Sequence, residues 1–79
     1  MIAEVVIGQP LVSPESLGFT DYVYTDERWL PRILVSLGFF KSTSQVLKNR
    51  KDLNVTLDTM DFLEYKIGKG RLWIIVGEA

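Results

Sequence analysis

Hydrophobic positions follow different periods in different parts of the chain. Ile2–Ile7 is a short β-branched run ended by Gly8-Gln9-Pro10, which predicts a strand. Ser13-Pro14-Glu15-Ser16-Leu17-Gly18 offers a capping residue, a proline at the first helical position and a closing glycine, the pattern of a single helical turn. Tyr22-Val23-Tyr24 fits a short strand or an aromatic loop over the core. Leu30, Ile33, Leu34 and Leu37 then recur with the spacing of an amphipathic helix. Asp26 is placed to cap that helix, Pro31 falls in its first turn, and Gly38 stops it.

After the turn Phe39-Phe40-Lys41, the run Ser42-Thr43-Ser44-Gln45 matches a capping box. A second helix is expected to reach Arg50 or Lys51, with Val46 and Leu47 facing inward and cations crowding its C-terminal end. The remaining third reads as β. Val55 and Leu57 alternate within Asn54–Asp58, and Phe62–Ile67 and Arg71–Val76 flank Gly68-Lys69-Gly70, which reads as a three-residue hairpin loop. The last strand is apolar on both faces and is expected to be central or covered on both sides. The fold class is therefore α+β: an N-terminal strand, a helix-turn-helix-like pair of short helices, and a C-terminal antiparallel β meander or hairpin, in one small globular domain over residues 1–79.

Composition narrows the chemistry. The 79 residues contain neither Cys nor His, which removes disulfides, the usual zinc ligand sets and the commonest general base. The expectation is no enzyme, no catalytic residue, no cofactor and no metal. Asp58 and Asp61 lack the further oxygen ligands of a calcium loop and read as a turn. Gly68-Lys69-Gly70 lacks the helix-opening Gly-Lys-Ser/Thr pattern of a phosphate-binding loop. No stretch approaches the roughly 20 apolar residues of a membrane helix, and the N-terminus lacks a basic signal-peptide region, so a cytoplasmic, membrane-free protein is expected.

Binding is the remaining class. The segment Leu37-Gly38-Phe39, Lys41 and Ser42-Thr43-Ser44 resembles the S4-type RNA-binding module, the αL motif of a ribosomal protein, tyrosyl-tRNA synthetases and pseudouridine synthases. Lys66–Arg71 is similar to the closing Gly-Lys hairpin of some synthetase versions, and the resemblance covers about 45 residues from Leu30 onward. The chain departs from the family at Val46-Leu47, where members carry Ala-Arg. The resemblance implies RNA, more than DNA, as partner, with phosphate contacts at Lys41, Ser42, Lys48, Arg50 and Lys51. Thr43 adds a hydroxyl, and Lys69 and Arg71 add hairpin cations. The plain alternative is a packed helical corner with solvated cations, in a chain whose net charge is −1.

Tyr22, Tyr24 and Trp29 cluster in sequence with Asp21, Asp26 and Glu27. They support the alternative function, a protein-interaction module such as an adaptor, inhibitor or homo-oligomer subunit, using an aromatic-acidic patch or a sheet edge. Core lids are the structural alternative for the same rings.

Overall fold

β1 (Ile2–Ile7) and β4 (Gly70–Val76) run parallel side by side at the centre of a four-stranded mixed sheet. The computed structural model describes residues 1–78. β2 (Val23–Thr25) flanks β1 in parallel, and β3 (Asp61–Ile67) flanks β4 in an antiparallel hairpin, giving the order β2-β1-β4-β3. With two helices added, the α+β class holds.

The chain forms two compact units. The sheet unit joins residues 1–26 to residues 58–78, and the helical unit is residues 27–57.

In the sheet unit, alternate residues of β1 and β4 sort onto two faces. Val5, Ile7, Leu72, Ile74 and Val76 share one face and are all buried. Glu4, Val6, Trp73 and Ile75 share the other. There Val6, Ile75 and Phe19 are buried together, with Tyr22 and Trp73 packed against them. β4 is thus central and covered, as its two apolar faces predict. The pairing of β1 with β4 was not anticipated, because parallel neighbours far apart in sequence leave no local turn signal.

The crossover from β1 to β2 contains the expected helical turn, a 3-10 turn at Pro14–Leu17. Gly18 closes it in the left-handed region at φ 90°, a conformation that costs a side chain-bearing residue about 1–2 kcal/mol. The β3–β4 hairpin is tighter than expected. Ile67 pairs directly with Gly70, so the loop is the two residues Gly68-Lys69. Gly68 alone takes a positive φ there, the geometry of a type II′ turn whose twist suits the flanking strands.

In the helical unit, α1 (Leu30–Ser36) and α2 (Thr43–Asn49) pack against each other. Leu30, Ile33, Leu34 and Val46 are buried, whereas Leu37 and Leu47 are only half-buried. α1 ends in a Schellman motif. The Gly38 amide donates to the Val35 carbonyl at 3.0 Å and the Phe39 amide to the Leu34 carbonyl at 2.9 Å, with Gly38 at φ 88°. Ser42 caps α2, its Oγ accepting the Gln45 amide at 3.3 Å. Gln45 Oε1 reaches back one residue further than the standard box, to the Lys41 amide at 3.2 Å.

Two sequence expectations fail in this unit. Asp26 does not cap α1; Trp29 occupies the cap position and its side chain makes no capping bond. The Leu30 amide instead donates to the Val55 carbonyl at 2.9 Å, and the Glu27 carboxylate accepts the Arg28 and Trp29 amides at 3.1 and 3.2 Å. With those donors satisfied, a capping oxygen on Asp26 has little left to do. Asn54–Asp58 is likewise no strand. It makes one bridge, Thr56 to Trp29, hemmed in by the 3-10 turn Lys51–Leu53 on one side.

Candidate functional site

On the Val6 face of the sheet, register builds the site row by row. Glu4 of β1 lies opposite Trp73 of β4, and Glu64 of β3 lies opposite Trp73 from the other side. The next row sets Val6 against Ile75 and Ile75 against Phe62. The preceding row sets Arg71 against Lys66. Arg71 bonds Glu64 at 3.0 Å, so these charges offset each other within the face. Glu4 takes part in none of the ion pairs found among the described residues.

The 3-10 turn and its following loop lie over this face. Glu4 fixes the loop by accepting the Thr20 and Asp21 amides, both at 3.0 Å through one carboxylate oxygen. Phe19 is thereby set beside Phe62, ring centroids 5.8 Å apart and nearly edge-to-face. Phe62 in turn lies 6.1 Å from Trp73. These three rings, with Glu4, Leu17 and Gly18, line a cleft of about 350 Å³.

A second cleft of about 260 Å³ shares Leu17 and Phe62 with the first. Its wall holds Leu11, Val12 and Met60. Leu11 is 72% exposed, Val12 50%, Met60 47%, Phe62 44% and Leu17 39%. An isolated exposed apolar residue needs no explanation, but a contiguous set along one cleft does. Sequence reasoning missed Leu11, Val12 and Met60. The available signal was the adjacent apolar pair between the turn residues Pro10 and Ser13.

The alternative interaction residues fall in different units. Tyr22 and Tyr24 belong to the sheet unit and meet edge-to-face at 5.5 Å. The Tyr22 hydroxyl donates to Glu15, which also accepts from Ser13. That acceptor holds the Tyr22 phenol well above its ordinary range. The hydroxyls of Ser13 and then Tyr22 hold the Glu15 carboxyl below its own. Trp29 belongs to the helical unit, where its indole N–H donates to Asn54 at 2.9 Å and Arg32 lies 6.0 Å from its ring.

The expected phosphate contacts divide in the same way. Lys41, Ser42, Thr43, Lys48, Arg50 and Lys51 lie in the helical unit; Lys69 and Arg71 lie in the sheet unit's hairpin. Several are engaged. Ser42 is a helix cap, Arg50 grips Asp52 with two bonds of 3.1 and 2.9 Å, and Arg71 holds Glu64. Lys41, Lys48, Lys51 and Lys69 are exposed, and Thr43 is half-buried at the first turn of α2.

Formal charge is unevenly shared. The sheet unit has eight carboxylates and three cations, net −5; the helical unit has two carboxylates and six cations, net +4; together they return the −1 of the chain. No described helix is long and apolar enough to cross a membrane. Compared with known proteins, the chain matches no family model, no curated protein and no solved structure.

Proposed function

We propose that this chain is a small protein-interaction module, acting by binding and not by catalysis, and that the Val6 face of the sheet unit receives the partner. One observation carries the reading: Leu11, Val12, Leu17, Met60 and Phe62 line one cleft while each remains substantially exposed. Burying such a set against a partner removes apolar area from water at about 25 cal/mol per Å². The two sheet edges, β2 and β3, support the same reading, since an edge strand can pair with an extended segment.

A peptide-display selection against the intact protein tests it. Enriched peptides should lose binding to a Leu11→Asp/Met60→Asp double variant that keeps the wild-type circular dichroism spectrum. Peptides that bind the double variant equally well, or no enrichment at all, refute the reading.

A second reading rests on the helical unit's net charge of +4. It is RNA binding through Lys41, Lys48 and Lys51, the part of the chain that resembles the S4-type module. Phosphate neutralisation by three cations gives a log–log salt slope of about −2 to −3. A mobility shift with structured RNA at two salt concentrations, repeated with all three lysines changed to alanine, measures that slope. Equal binding by the triple variant removes this reading.

A further inference from the structure

We infer that the Phe19–Phe62–Trp73 cleft is a receptor for an alkylammonium side chain, lysine or its methylated forms, carried by an extended segment of the partner. The inference deepens the protein-interaction reading above and rests on it.

Ring geometry comes first. Phe62 stands between Phe19 and Trp73, with centroid separations of 5.8 and 6.1 Å, so three π systems border one cleft. An ammonium within about 6 Å of an aromatic centroid is attracted to the negative face of the ring. The cleft's volume of about 350 Å³ is ample for an aliphatic stem and its cationic head.

Charge comes second. The polar side chain lining the cleft is the carboxylate of Glu4, directly opposite Trp73. It already accepts two backbone N–H bonds through Oε1, which fixes its orientation. Arg71, the cation nearest in register, bonds Glu64. The whole unit is net −5. An anionic ligand would meet Glu4 and this field unfavourably, and a neutral ligand would leave the carboxylate unused.

The neighbouring cleft sets the rest of the ligand. It shares Leu17 and Phe62 with the first, and Leu11, Val12 and Met60 make it apolar. In an extended segment, side chains two residues apart point the same way. An apolar residue two positions from the lysine therefore puts both side chains on one side of the segment, toward the two adjoining clefts.

Three acetylated tripeptide amides test this: Leu-Ser-Lys, Leu-Ser-trimethyllysine and Leu-Ser-norleucine. Norleucine keeps the aliphatic stem and lacks the charge. Titrations of the whole protein are followed by amide and indole NMR cross-peaks, with the Trp73 indole assigned through Trp29→Phe. Both cationic peptides should shift Trp73 and bind about tenfold tighter than the norleucine peptide. Glu4→Gln keeps an oxygen that can accept the loop amides, and should erase most of that preference. Phe62→Leu, at an exposed ring, should weaken both cationic peptides.

Equal affinity of all three peptides, with sheet-unit signals moving, overturns the cation receptor and leaves the protein-interaction surface standing. Shifts confined to the helical unit overturn the receptor. No shift in either cleft with any peptide removes the receptor and counts against the wider reading; the display selection then decides that reading independently. Concentration-dependent shifts of Met60 and Phe62 without peptide, matched by a dimer in sedimentation, assign the surface to a second copy and also overturn the receptor.

Discussion

Glu4 and Asp21 are joined across the sheet unit by a single bond: the β1 carboxylate accepts the Asp21 backbone amide at 3.0 Å. The same oxygen accepts the Thr20 amide. Glu4 therefore has two uses, as an anchor for the loop that carries Phe19 and as the negative group of the aromatic cleft. Substitution separates them. Glu4→Ala removes both acceptor and charge and should cost about 1.5–3 kcal/mol, since hydrogen bonds to charged groups are worth about that much. Glu4→Gln should cost less than half as much. Chemical denaturation of the three proteins checks the ordering; equal losses would show that charge, and not acceptance, holds the loop.

Gly77 has a steric duty that Gly68 does not. A Cβ built at Gly77 would lie 2.3 Å from the Gln9 carbonyl carbon and oxygen. The cause is the pairing just beyond the central strands, where the Gly77 amide donates to Ile7 and Gln9 exchanges two 2.9 Å bonds with Glu78. Gly77→Ala must push this backbone apart and should cost at least the roughly 1–3 kcal/mol typical of overpacking. At Gly68 nothing lies within 4 Å, and only the positive φ of 59° opposes a side chain. Gly68→Ala should therefore cost about 1–2 kcal/mol, without the backbone displacement that Gly77→Ala demands. Melting temperatures of the two variants compare them directly.

These glycines mark what the sequence could and could not disclose. Gly38 and Ser42 were legible because a helix stop and a helix cap are local: the residue and its partners lie within a few positions. The type II′ turn was legible as a turn and misjudged by one residue. Gly77 carries no local signal, because its neighbour Gln9 lies at the other end of the chain. The same holds for the cleft. Glu4, Phe19, Phe62 and Trp73 are brought together only by the parallel register of β1 with β4 and by the loop resting on it. Capping of α1 was misread for a related reason, since the Leu30 amide finds its acceptor in Val55 and not in a nearby side chain.

The Glu15–Tyr22 bond gives a pH dependence with a definite sign. Glu15 titrates below its ordinary value of 4.5 in the folded chain. Its contribution is thus present above that value and is lost as pH falls through the lowered one. Tyr22 titrates above its ordinary value of 10, so its contribution is present below pH 10 and is lost as pH rises through the raised value. The 3-10 turn should be held best between these limits. Ultraviolet titration should show Tyr22 keeping its proton well above pH 10. Glu15→Gln should bring Tyr22 back toward 10, because the Glu15 hydrogen bond is the largest cause of its shift. Tyr65 should not move with it, since burial and then Asp61 raise that phenol.

The exposed cleft should be dispensable for folding, which separates a recognition surface from a core. Leu11 and Met60 leave 72% and 47% of their surface in water, so Leu11→Ser and Met60→Ser should each change stability by no more than about 0.5 kcal/mol. Ile74, fully buried on the opposite face of the sheet, is the control: Ile74→Ala should cost about 2–5 kcal/mol. Urea denaturation measures all three. If Met60→Ser proved as damaging as Ile74→Ala, Met60 would be structural, and the exposed apolar row would lose its claim to be kept for a partner. If the serine variants fold normally and lose the peptides selected on the wild type, folding and recognition are carried by different residues of the same small sheet.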